Sequence, residues 1–365
     1  MTKLQQLYAD HGQSPWLDNL TRAHLRAGEL RRLIAAGIRG VTSNPTIFAK
    51  AISGSADYDD QFHELVRRGA TVTDAYWAMV VDDIEEALAQ LRPVYDQSGG
   101  GDGFVSVELA PDLARDTARS IDAARRLHAR IDEPNLFVKI PATPVGVPAV
   151  REMIGEGRSI NITLLFSLER YDEVIEAYLA GLEACTGDLA PVHSVASFFV
   201  SRVDTEVDQR LEAIGTAEAL ELRGRAALAQ AKLAYQLFRR RFSGERWDAL
   251  AARGARLQRP LWASTSTKNP AYGDTTYVDG LIGPETINTL PEATIAAFED
   301  HGTVAPTIGS DIEDAHDTLD RLEAVGVSLT DVGRTLEDDG VASFAKSFDD
   351  LLAILEAKCI QLSGS

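Results

Sequence analysis

Short apolar segments alternate with longer amphipathic segments along most of the chain. Short apolar or alternating runs are typical of strands, and apolar residues that recur every three or four positions are typical of helices. The predicted strands are Trp16–Leu20, Ile38–Ser43, Phe104–Leu109, Leu136–Ile140, Ser159–Leu165, His193–Phe199, Pro260–Ser264 and Glu285–Thr289. The clearest helices between them are predicted at Thr73–Leu91, Ala114–Arg130, Ser167–Ala184 and within Thr216–Arg241. Eight strands that alternate with helices favour an α/β fold, a closed (β/α)8 TIM barrel rather than an open doubly wound sheet.

The pattern becomes helical after Pro291. The clearest helices there are predicted at Asp311–Ala324 and Val341–Gln361. No low-complexity or linker-like stretch separates this part from the strands. We therefore expect residues 1–365 to form a single barrel domain, with residues 303–365 as a helical extension packed on the barrel.

Composition and charge narrow the range of partners. Apolar residues make up 45% of the chain and charged residues 25%, as in soluble globular proteins. The formal net charge of −19 argues against a broad nucleic-acid surface and against binding to anionic membranes. The net charge does not exclude binding of small phosphorylated ligands, since these need only a local pair of Arg or Lys residues. The first residues lack a signal-peptide core and no segment has transmembrane length, so we expect a cytoplasmic protein.

Cysteine and histidine spacing gives no sign of a disulfide framework or a metal site. Cys185 and Cys359 are few and far apart. The seven histidines include no close pair with a nearby carboxylate, so we predict no metal. The Gly-rich segment Ser98–Gly103 precedes a strand, whereas a phosphate-binding loop follows a strand and opens a helix. We interpret it as a turn on the face of the barrel away from the chemistry.

Lys139 lies within the apolar run Leu136–Pro141, which has the length of a buried strand. A buried ammonium is costly to desolvate unless it is paired, lies at the strand's end or loses its proton. An amine that has lost its proton is a nucleophile at neutral pH and forms an imine with a carbonyl substrate. The alternative is a lysine at a strand end that reaches solvent.

Polar side chains gather at the ends of the predicted strands, many of them two residues apart and therefore on one face. They are Thr42 and Asn44, Ser106 and Glu108, Asn161 and Thr163, and the late strand positions Asp18, Lys139, Ser197 and Ser264. Each alone has another explanation, as a turn residue, a solvated strand end or a core hydroxyl bonded to backbone. In a barrel, however, the late inward-facing positions meet at the C-terminal mouth, where active sites lie.

These side chains are the ones that an imine aldol reaction needs. The amine attacks a ketone, and the protonated imine withdraws electrons from the adjacent C–C bond. One carboxylate removes the proton from the hydroxyl beyond that bond, and a second acid or base moves protons while water leaves and returns. Asparagine and hydroxyl groups orient the hydroxyls of the substrate.

Four motifs, in order along the chain, resemble those of transaldolase, and most closely its actinobacterial and cyanobacterial branch. They are Thr42-Ser43-Asn44-Pro45-Thr46-Ile47-Phe48, Val138-Lys139-Ile140-Pro141-Ala142-Thr143, Ile160-Asn161-Ile162-Thr163-Leu164-Leu165-Phe166-Ser167 and Ser197-Phe198-Phe199-Val200-Ser201-Arg202. The likeness runs from about Trp16 to Pro291. It implies a class I aldolase-type barrel with the Schiff-base lysine on the fourth strand, where Lys139 lies in the predicted order.

The resemblance implies catalytic roles for four residues. Lys139 matches the imine-forming lysine, and Asp18 matches the aspartate that takes the proton from the C4 hydroxyl of the substrate. Glu108 matches the glutamate that works with Thr163, through a water, on the carbinolamine and imine steps.

Further matches imply binding roles. Asn44 and Asn161 match ligands of substrate hydroxyls, Ser197 and Phe199 match residues that line the site, and Arg202 matches the arginine that binds phosphate.

One stretch departs from the family pattern. After the seventh strand, members carry Ala-Ser-Phe-Arg-Asn, where this chain reads Ala263-Ser264-Thr265-Ser266-Thr267-Lys268-Asn269. We expect Ser264 to belong to the site and Lys268 to replace the second phosphate-binding arginine. A lysine binds phosphate as a point charge rather than as a bidentate fork.

The implied function is transfer of a dihydroxyacetone unit from sedoheptulose 7-phosphate or fructose 6-phosphate to glyceraldehyde 3-phosphate or erythrose 4-phosphate, in the non-oxidative pentose phosphate pathway. No cofactor is expected, because the protonated imine is the electron sink. The alternatives are a fructose 6-phosphate aldolase-like lyase that releases dihydroxyacetone, and a non-catalytic phosphosugar-binding barrel. The lyases of this superfamily are shorter and lack the glutamate that Glu108 matches, so both features favour transfer. The sequence leaves open whether the protein is a monomer or a homodimer.

Overall fold

A computed structural model describes residues 1–363 of the chain and the side chains of residues 1–360. Its strands are β1 (Gln13–Leu17), β2 (Val41–Thr42), β3 (Val105–Glu108), β4 (Leu136–Pro141), β5 (Ile160–Leu165), β6 (Ser194–Phe199), β7 (Arg259–Ala263) and β8 (Thr286–Leu290). Its helices are α1 (Lys3–His11), α2 (Arg22–Arg26), α3 (Glu29–Ala36), α4 (Pro45–Gly54), α5 (Asp59–Arg67), α6 (Val72–Gln97), α7 (Thr117–Arg130), α8 (Gly146–Gly155), α9 (Leu168–Ala184), α10 (Ser201–Ile214), α11 (Ala217–Glu221), α12 (Ala226–Arg241), α13 (Glu245–Ala251), α14 (Thr276–Asp279), α15 (Glu292–His301), α16 (Ile312–Ala324) and α17 (Leu329–Ser363).

The strands form one closed parallel barrel in chain order, with β8 returning to pair with β1. The closing pair aligns Gln13 with Thr286. Lys139 on β4 pairs with Glu108 on β3 and with Asn161 on β5, so three polar strand residues lie side by side. The predicted (β/α)8 barrel is confirmed.

The aliphatic neighbours of these polar residues explain why the strands orient as they do. Val107, Val138, Ile160 and Ile162 alternate with the polar positions and are fully buried. Since successive side chains of a strand point to opposite faces, burying this set turns the polar set toward the barrel interior.

Capping residues fix where helices begin after strands. The side chain of Asn44 accepts a hydrogen bond of 3.0 Å from the backbone N–H of Ile47, and Pro45 occupies the first turn of α4. Ser167 caps α9 through the backbone N–H of Arg170 in the same way. Asn44 is therefore held between the end of β2 and the start of α4, at the mouth of the barrel.

The helix α17 packs against α4, α6, α10 and β5. The hydroxyls of Ser347 on α17 and Thr46 on α4 are 2.9 Å apart. A Cβ on Gly340 would lie 2.9 Å from Cδ2 of Leu164, so the glycine permits a close approach to the end of β5. These contacts support our proposal that the extension predicted at residues 303–365, of which residues 364 and 365 lie outside the described part, belongs to the barrel domain.

Several predicted elements were wrong in their bounds: β2 is confined to Val41–Thr42 within the predicted Ile38–Ser43, and the helix predicted at Val341–Gln361 begins at Leu329 as α17. The first strand begins at Gln13 rather than Trp16, because its polar side chains find partners inside the barrel: Gln13 Nε2 donates to the carbonyl of Leu281 (2.6 Å) and Ser14 Oγ to Asp102 (2.5 Å). The long helix predicted within Thr216–Arg241 is α12, and the short α11 precedes it, with Gly224 in a left-handed conformation (φ 71°) between them.

None of the helices within residues 1–363 combines the length and hydropathy that crossing a bilayer requires.

Residue 40 must be a glycine because its backbone lies close to the ring of Trp16. A Cβ at residue 40 would lie 2.4 Å from the indole ring, which is fully buried. We expect Gly40→Ala to lower the free energy of unfolding by roughly 1–3 kcal/mol through overpacking. Gly54→Ala is the matched control, because a Cβ there meets no atom within 4 Å. Urea denaturation measures both, and equal stability of the two variants would contradict the steric argument.

Candidate active site

A cavity of about 300 Å³ opens at the carboxyl ends of the strands. The sequence-predicted residues that line it are Asp18, Asn44, Lys139, Thr163, Ser197, Phe199, Arg202, Ser264 and Lys268. Glu108 and Asn161 are the two predicted residues outside its lining, and both lie directly against residues that line it. The strand ends thus bring the predicted set together in one place.

Lys139 lies at the base of this cavity and is only 5% exposed. Its Nζ donates a hydrogen bond of 3.1 Å to the carbonyl oxygen of Ser43 and is 3.2 Å from Oε2 of Glu108. An amine held by one carbonyl and one carboxylate, and open to a cavity, has a fixed position from which to attack a carbonyl carbon.

Glu108 is a buried carboxyl next to this amine. Burial raises the pKa of Glu108, and the charge and hydrogen bonding of Lys139 act against that rise. Among residues 1–360, neither carboxylate oxygen of Glu108 has a well-aligned hydrogen bond, and the hydroxyl of Thr163 has none. Glu108 also borders a second cavity of about 10 Å³, close to the size that one water needs. The carboxyl, with its raised pKa and room for a water beside it, is therefore suited to give and take a proton.

Asp18 is a second carboxyl that lines the cavity, directly after β1. Its Oδ1 accepts a hydrogen bond of 3.0 Å from the hydroxyl of Thr42. Burial raises the pKa of Asp18, while Lys139, then the Thr42 hydrogen bond, then Lys268 and Arg202 lower it. One amine thus acts electrostatically on two buried carboxyls of the same site, and burial and neighbouring charges set the protonation state of each.

A layer of neutral polar side chains supports the base of the cavity. Asn161 is fully buried, donates from Nδ2 to Oγ of Ser106 (3.0 Å) and accepts from Oγ of Ser197 (2.7 Å). These two bonds fix the amide beside Lys139, its neighbour in the β4–β5 pairing. Ser197 is the member of this layer that reaches the cavity.

Ser264 follows β7 and adopts a left-handed conformation, which is uncommon for a residue with a side chain (φ 56°). Its hydroxyl lies 2.9 Å from that of Ser201, and its carbonyl accepts the backbone N–H of Ser201 (3.0 Å). These bonds join the loop after β7 to the first turn of α10, the helix that carries Arg202.

Three cations line the outer part of the cavity: Arg202, Lys268 and Lys50. The guanidinium carbon of Arg202 lies 5.2 Å from the centre of the Phe199 ring. Among the described residues, none of the three forms a salt bridge with a carboxylate, and Lys268 donates to Oγ of Ser266 (2.8 Å). Burial, then Arg202, lowers the pKa of Lys268, and Lys50 acts in the same direction. Unpaired cations close together favour binding of an anionic group.

Lys50, together with Ser343 and Phe344 of α17, lines the cavity but was not among the predicted site residues. Lys50 comes four residues after Thr46 of the motif at residues 42–48, on the same face of α4, so helical spacing offered a signal. Ser343 and Phe344 gave none, because nothing in a helical pattern tells which face of α17 meets the barrel.

Within residues 1–363, no group of three or more His, Cys, Asp and Glu side chains is arranged to hold a metal ion.

Comparisons with known proteins agree with this geometry. A family model described as Transaldolase/Fructose-6-phosphate aldolase matches residues 15–355. The chain is 52% identical over 354 residues to "Transaldolase" of Thermobifida fusca (strain YX), which covers 96% of each chain. It is 51% identical over 355 residues to "Transaldolase 1" of Streptomyces coelicolor, covering 96% of this chain and 93% of that one. It is 47% identical to "Transaldolase 2" of the same organism over 370 residues, covering 100% of both.

Proposed function

The chain belongs to the transaldolase/fructose-6-phosphate aldolase family, and from this membership we propose how its own residues carry out the reaction. Its function is that of a transaldolase, a transferase of the pentose phosphate pathway that works through a lysine Schiff base on phosphosugars. We propose sedoheptulose 7-phosphate and fructose 6-phosphate as donors, and glyceraldehyde 3-phosphate and erythrose 4-phosphate as acceptors. We also propose that the reaction takes place in the cytoplasm.

The observation that carries the proposal is the position of Lys139. Its amine contacts Glu108 at 3.2 Å, belongs to the cavity wall, and acts electrostatically on both Glu108 and Asp18. An amine in contact with one carboxyl, in the same site as a second carboxyl, is the arrangement that an imine mechanism with separate proton transfers needs.

Imine formation uses Lys139 and Glu108. The unprotonated Nζ attacks C2 of the donor ketone, and the carbinolamine oxygen leaves as water after receiving a proton. Glu108 supplies and recovers that proton through a water held with the hydroxyl of Thr163. The raised pKa of Glu108 suits it to both directions of this exchange.

Cleavage uses Asp18. Its carboxylate takes the proton from the C4 hydroxyl, the C3–C4 bond breaks, and its electron pair moves into the protonated imine to give an enamine. The aldose phosphate leaves with a new C=O bond. The enamine carbon then attacks the aldehyde carbon of the acceptor, Asp18 returns the proton to the new hydroxyl, and water releases the product ketose from Lys139.

Binding residues hold the substrate along the cavity. Asn44, Asn161, Ser197 and Ser264 orient the hydroxyls, and Phe199 packs against the carbon chain. We assign the phosphate to Arg202, in the first turn of α10, and to Lys268, in the loop after β7, whose unpaired charges line the outer end of the cavity.

The acceptor requirement distinguishes transfer from the lyase alternative. Incubated with fructose 6-phosphate alone, the protein is expected to release only traces of dihydroxyacetone. Added erythrose 4-phosphate is expected to give sedoheptulose 7-phosphate and glyceraldehyde 3-phosphate in equal amounts. Coupled assays of both products test this, and steady release of dihydroxyacetone without an acceptor would assign a lyase instead.

The non-catalytic alternative is disfavoured, because the full-length relatives are named transaldolases.

The pH profile tests the role of Asp18. The base must be ionised, so kcat/KM should fall as the pH drops through the pKa of Asp18, which burial has raised. Thr42→Val removes a hydrogen bond that lowers this pKa, and the acid limb should therefore move to higher pH. Thr46→Val is the control, since Thr46 lines the cavity but bonds to Ser347 instead. An unmoved acid limb in Thr42→Val would argue against Asp18 as the base.

A further inference from the structure

Three side chains of α10 are bonded to the segment that follows β7 and carries Lys268. They are spaced by three and four residues, so they lie on one face of the helix. The pairs are Ser201 with Ser264 (2.9 Å), Asp208 with Tyr272 (2.6 Å) and Asp204 with Tyr277 (2.8 Å). The segment 264–272 is therefore attached at both of its ends to the helix that also carries Arg202.

The bond between Asp208 and Tyr272 is the attachment that follows Lys268 in the chain. Oη of Tyr272 donates to Oδ2 of Asp208, and the backbone N–H of Gly224 donates to Oδ1 of the same carboxylate (2.9 Å). Asp208 is buried, and a Cβ at residue 224 would lie 2.6 Å from the Tyr272 ring. Hydrogen bonds to a carboxylate are shorter and stronger than those between neutral groups. The carboxylate on one side and residue 224 on the other therefore fix the position of Tyr272.

A tight turn connects Tyr272 to Lys268. The backbone N–H of Tyr272 donates to the carbonyl of Asn269 (3.1 Å), and that of Ala271 donates to Oδ1 of Asn269 (3.0 Å). Asn269 directly follows Lys268 in the chain, and Nζ of Lys268 donates to Oγ of Ser266 (2.8 Å). A displacement of Tyr272 would therefore displace the turn and the lysine with it.

Lys268 and Arg202 lie close enough for their charges to repel each other. Both line the outer part of the active-site cavity, and Arg202 acts with burial to lower the pKa of Lys268. Two like charges favour separation unless other contacts hold them or an anion binds between them. A loop that is attached to α10 keeps the lysine near the arginine before the anion arrives, which lowers the entropy that is lost on binding.

We propose that the hydrogen bond between Asp208 and Tyr272 positions Lys268 for the phosphate of the sugar substrates. The proposal rests on the proposed function, in which Arg202 and Lys268 bind that phosphate. Asp208 and Tyr272 lie outside the lining of the cavity and act through the lysine, so they are positioning residues. They should affect the affinity for phosphorylated sugars and leave the chemistry at Lys139 unchanged.

Tyr272→Phe removes the hydroxyl that makes this bond and keeps the ring. With fructose 6-phosphate as donor and erythrose 4-phosphate as acceptor, we expect KM for the donor to rise roughly 3-fold to 10-fold and kcat to change by less than about 2-fold, because the lysine is kept but held less firmly. The addition of dihydroxyacetone to glyceraldehyde, in which no phosphate takes part, should keep its rate. Steady-state kinetics measure both reactions. A residue that is needed only for stability would change the two reactions alike, and that result would overturn the proposal.

A double-mutant cycle tests whether Tyr272 acts through Lys268. Lys268→Gln alone should lower kcat/KM for fructose 6-phosphate, and the addition of Tyr272→Phe should lower it further by less than about 2-fold. Asp208→Asn weakens the same bond from its other side, because it removes the charge of the acceptor, and should raise KM in the same direction as Tyr272→Phe. The bond is thus tested through both of its partners.

Tyr235→Phe is the matched control. It removes the same hydroxyl from another tyrosine, whose Oη donates to the carbonyl of Pro284 (3.2 Å), and it should change neither reaction. Thermal denaturation checks that all variants are folded. If Lys268→Gln lowers kcat/KM and Tyr272→Phe leaves KM unchanged, or raises it equally in the Lys268→Gln background, the positioning role is overturned and the phosphate assignment stands. If Lys268→Gln has no effect, the assignment of Lys268 to the phosphate is wrong, and the positioning role is overturned with it.

Discussion

Borohydride added together with fructose 6-phosphate is expected to leave a reduced three-carbon adduct on Lys139. The cleaved intermediate stays on the amine as an enamine in equilibrium with its protonated imine, and hydride reduces that imine to a stable secondary amine. Peptide mass spectrometry locates the label. Lys139→Met should lose the label and lower turnover by on the order of 10⁴-fold or more, the scale seen when a covalent nucleophile is removed.

Lys346→Met is the matched control, because Lys346 is an exposed lysine of α17 that pairs with Asp350 on the surface. It should keep both label and activity. Circular dichroism should show Lys139→Met to be folded, since methionine fills much of the same volume and the raised pKa of Glu108 lets that carboxyl take a proton. A label on a different lysine, or an active Lys139→Met variant, would refute the assignment of the nucleophile.

Arg202→Gln is expected to lower kcat/KM for fructose 6-phosphate by on the order of 10-fold to 1000-fold. The loss combines a charge-assisted contact worth roughly 1.5–3 kcal/mol with misplacement of the reacting carbon. The substitution keeps much of the side-chain stem that packs over Phe199. The same variant should catalyse the addition of dihydroxyacetone to unphosphorylated glyceraldehyde almost normally, because no phosphate takes part. Steady-state kinetics of the two reactions give the comparison.

Lys268→Gln should act in the same direction as Arg202→Gln but less strongly, because a lysine at an exposed rim makes a single point contact. Arg240→Gln, far from the cavity lining, should change neither reaction. An equal loss of both reactions in Arg202→Gln would make the arginine structural or catalytic and would move the phosphate site elsewhere.

The barrel was predictable because its strands bury aliphatic residues that alternate with polar ones. The predicted bounds of the first strand were wrong because its first residues are polar and nevertheless buried. Gln13 and Ser14 have the polarity of loop residues, yet inside the barrel Leu281, Thr286 and Asp102 accept hydrogen bonds from their side chains. Hydrophobic periodicity identifies a buried position by its apolar residue. It therefore does not identify a polar residue that is buried together with its hydrogen-bond partner.

The inner part of the site was predictable because it lies on strands. A strand fixes the direction of every second side chain, so Lys139, Glu108 and Thr163 could be placed on one face from spacing alone. The outer part is built from helices and loops, and Lys50 and Phe344 reach it through packing between distant segments. For Phe344 that packing leaves no local trace in the sequence, whereas for Lys50 the only trace is its helical spacing from Thr46.

The pairing of β8 with β1 has a consequence for the order of folding. The backbone N–H of Asp18 bonds to the carbonyl of Leu290, so this carboxyl reaches its place only when two segments far apart in the chain have met. Contacts of such long sequence separation carry a large loop-closure entropy and form late. Lys139 and Glu108 lie on β4 and β3, which are consecutive strands, so a much shorter segment of chain separates them. During refolding, the amine should therefore be in place before the base, and recovery of C–C cleavage should follow the slowest kinetic phase.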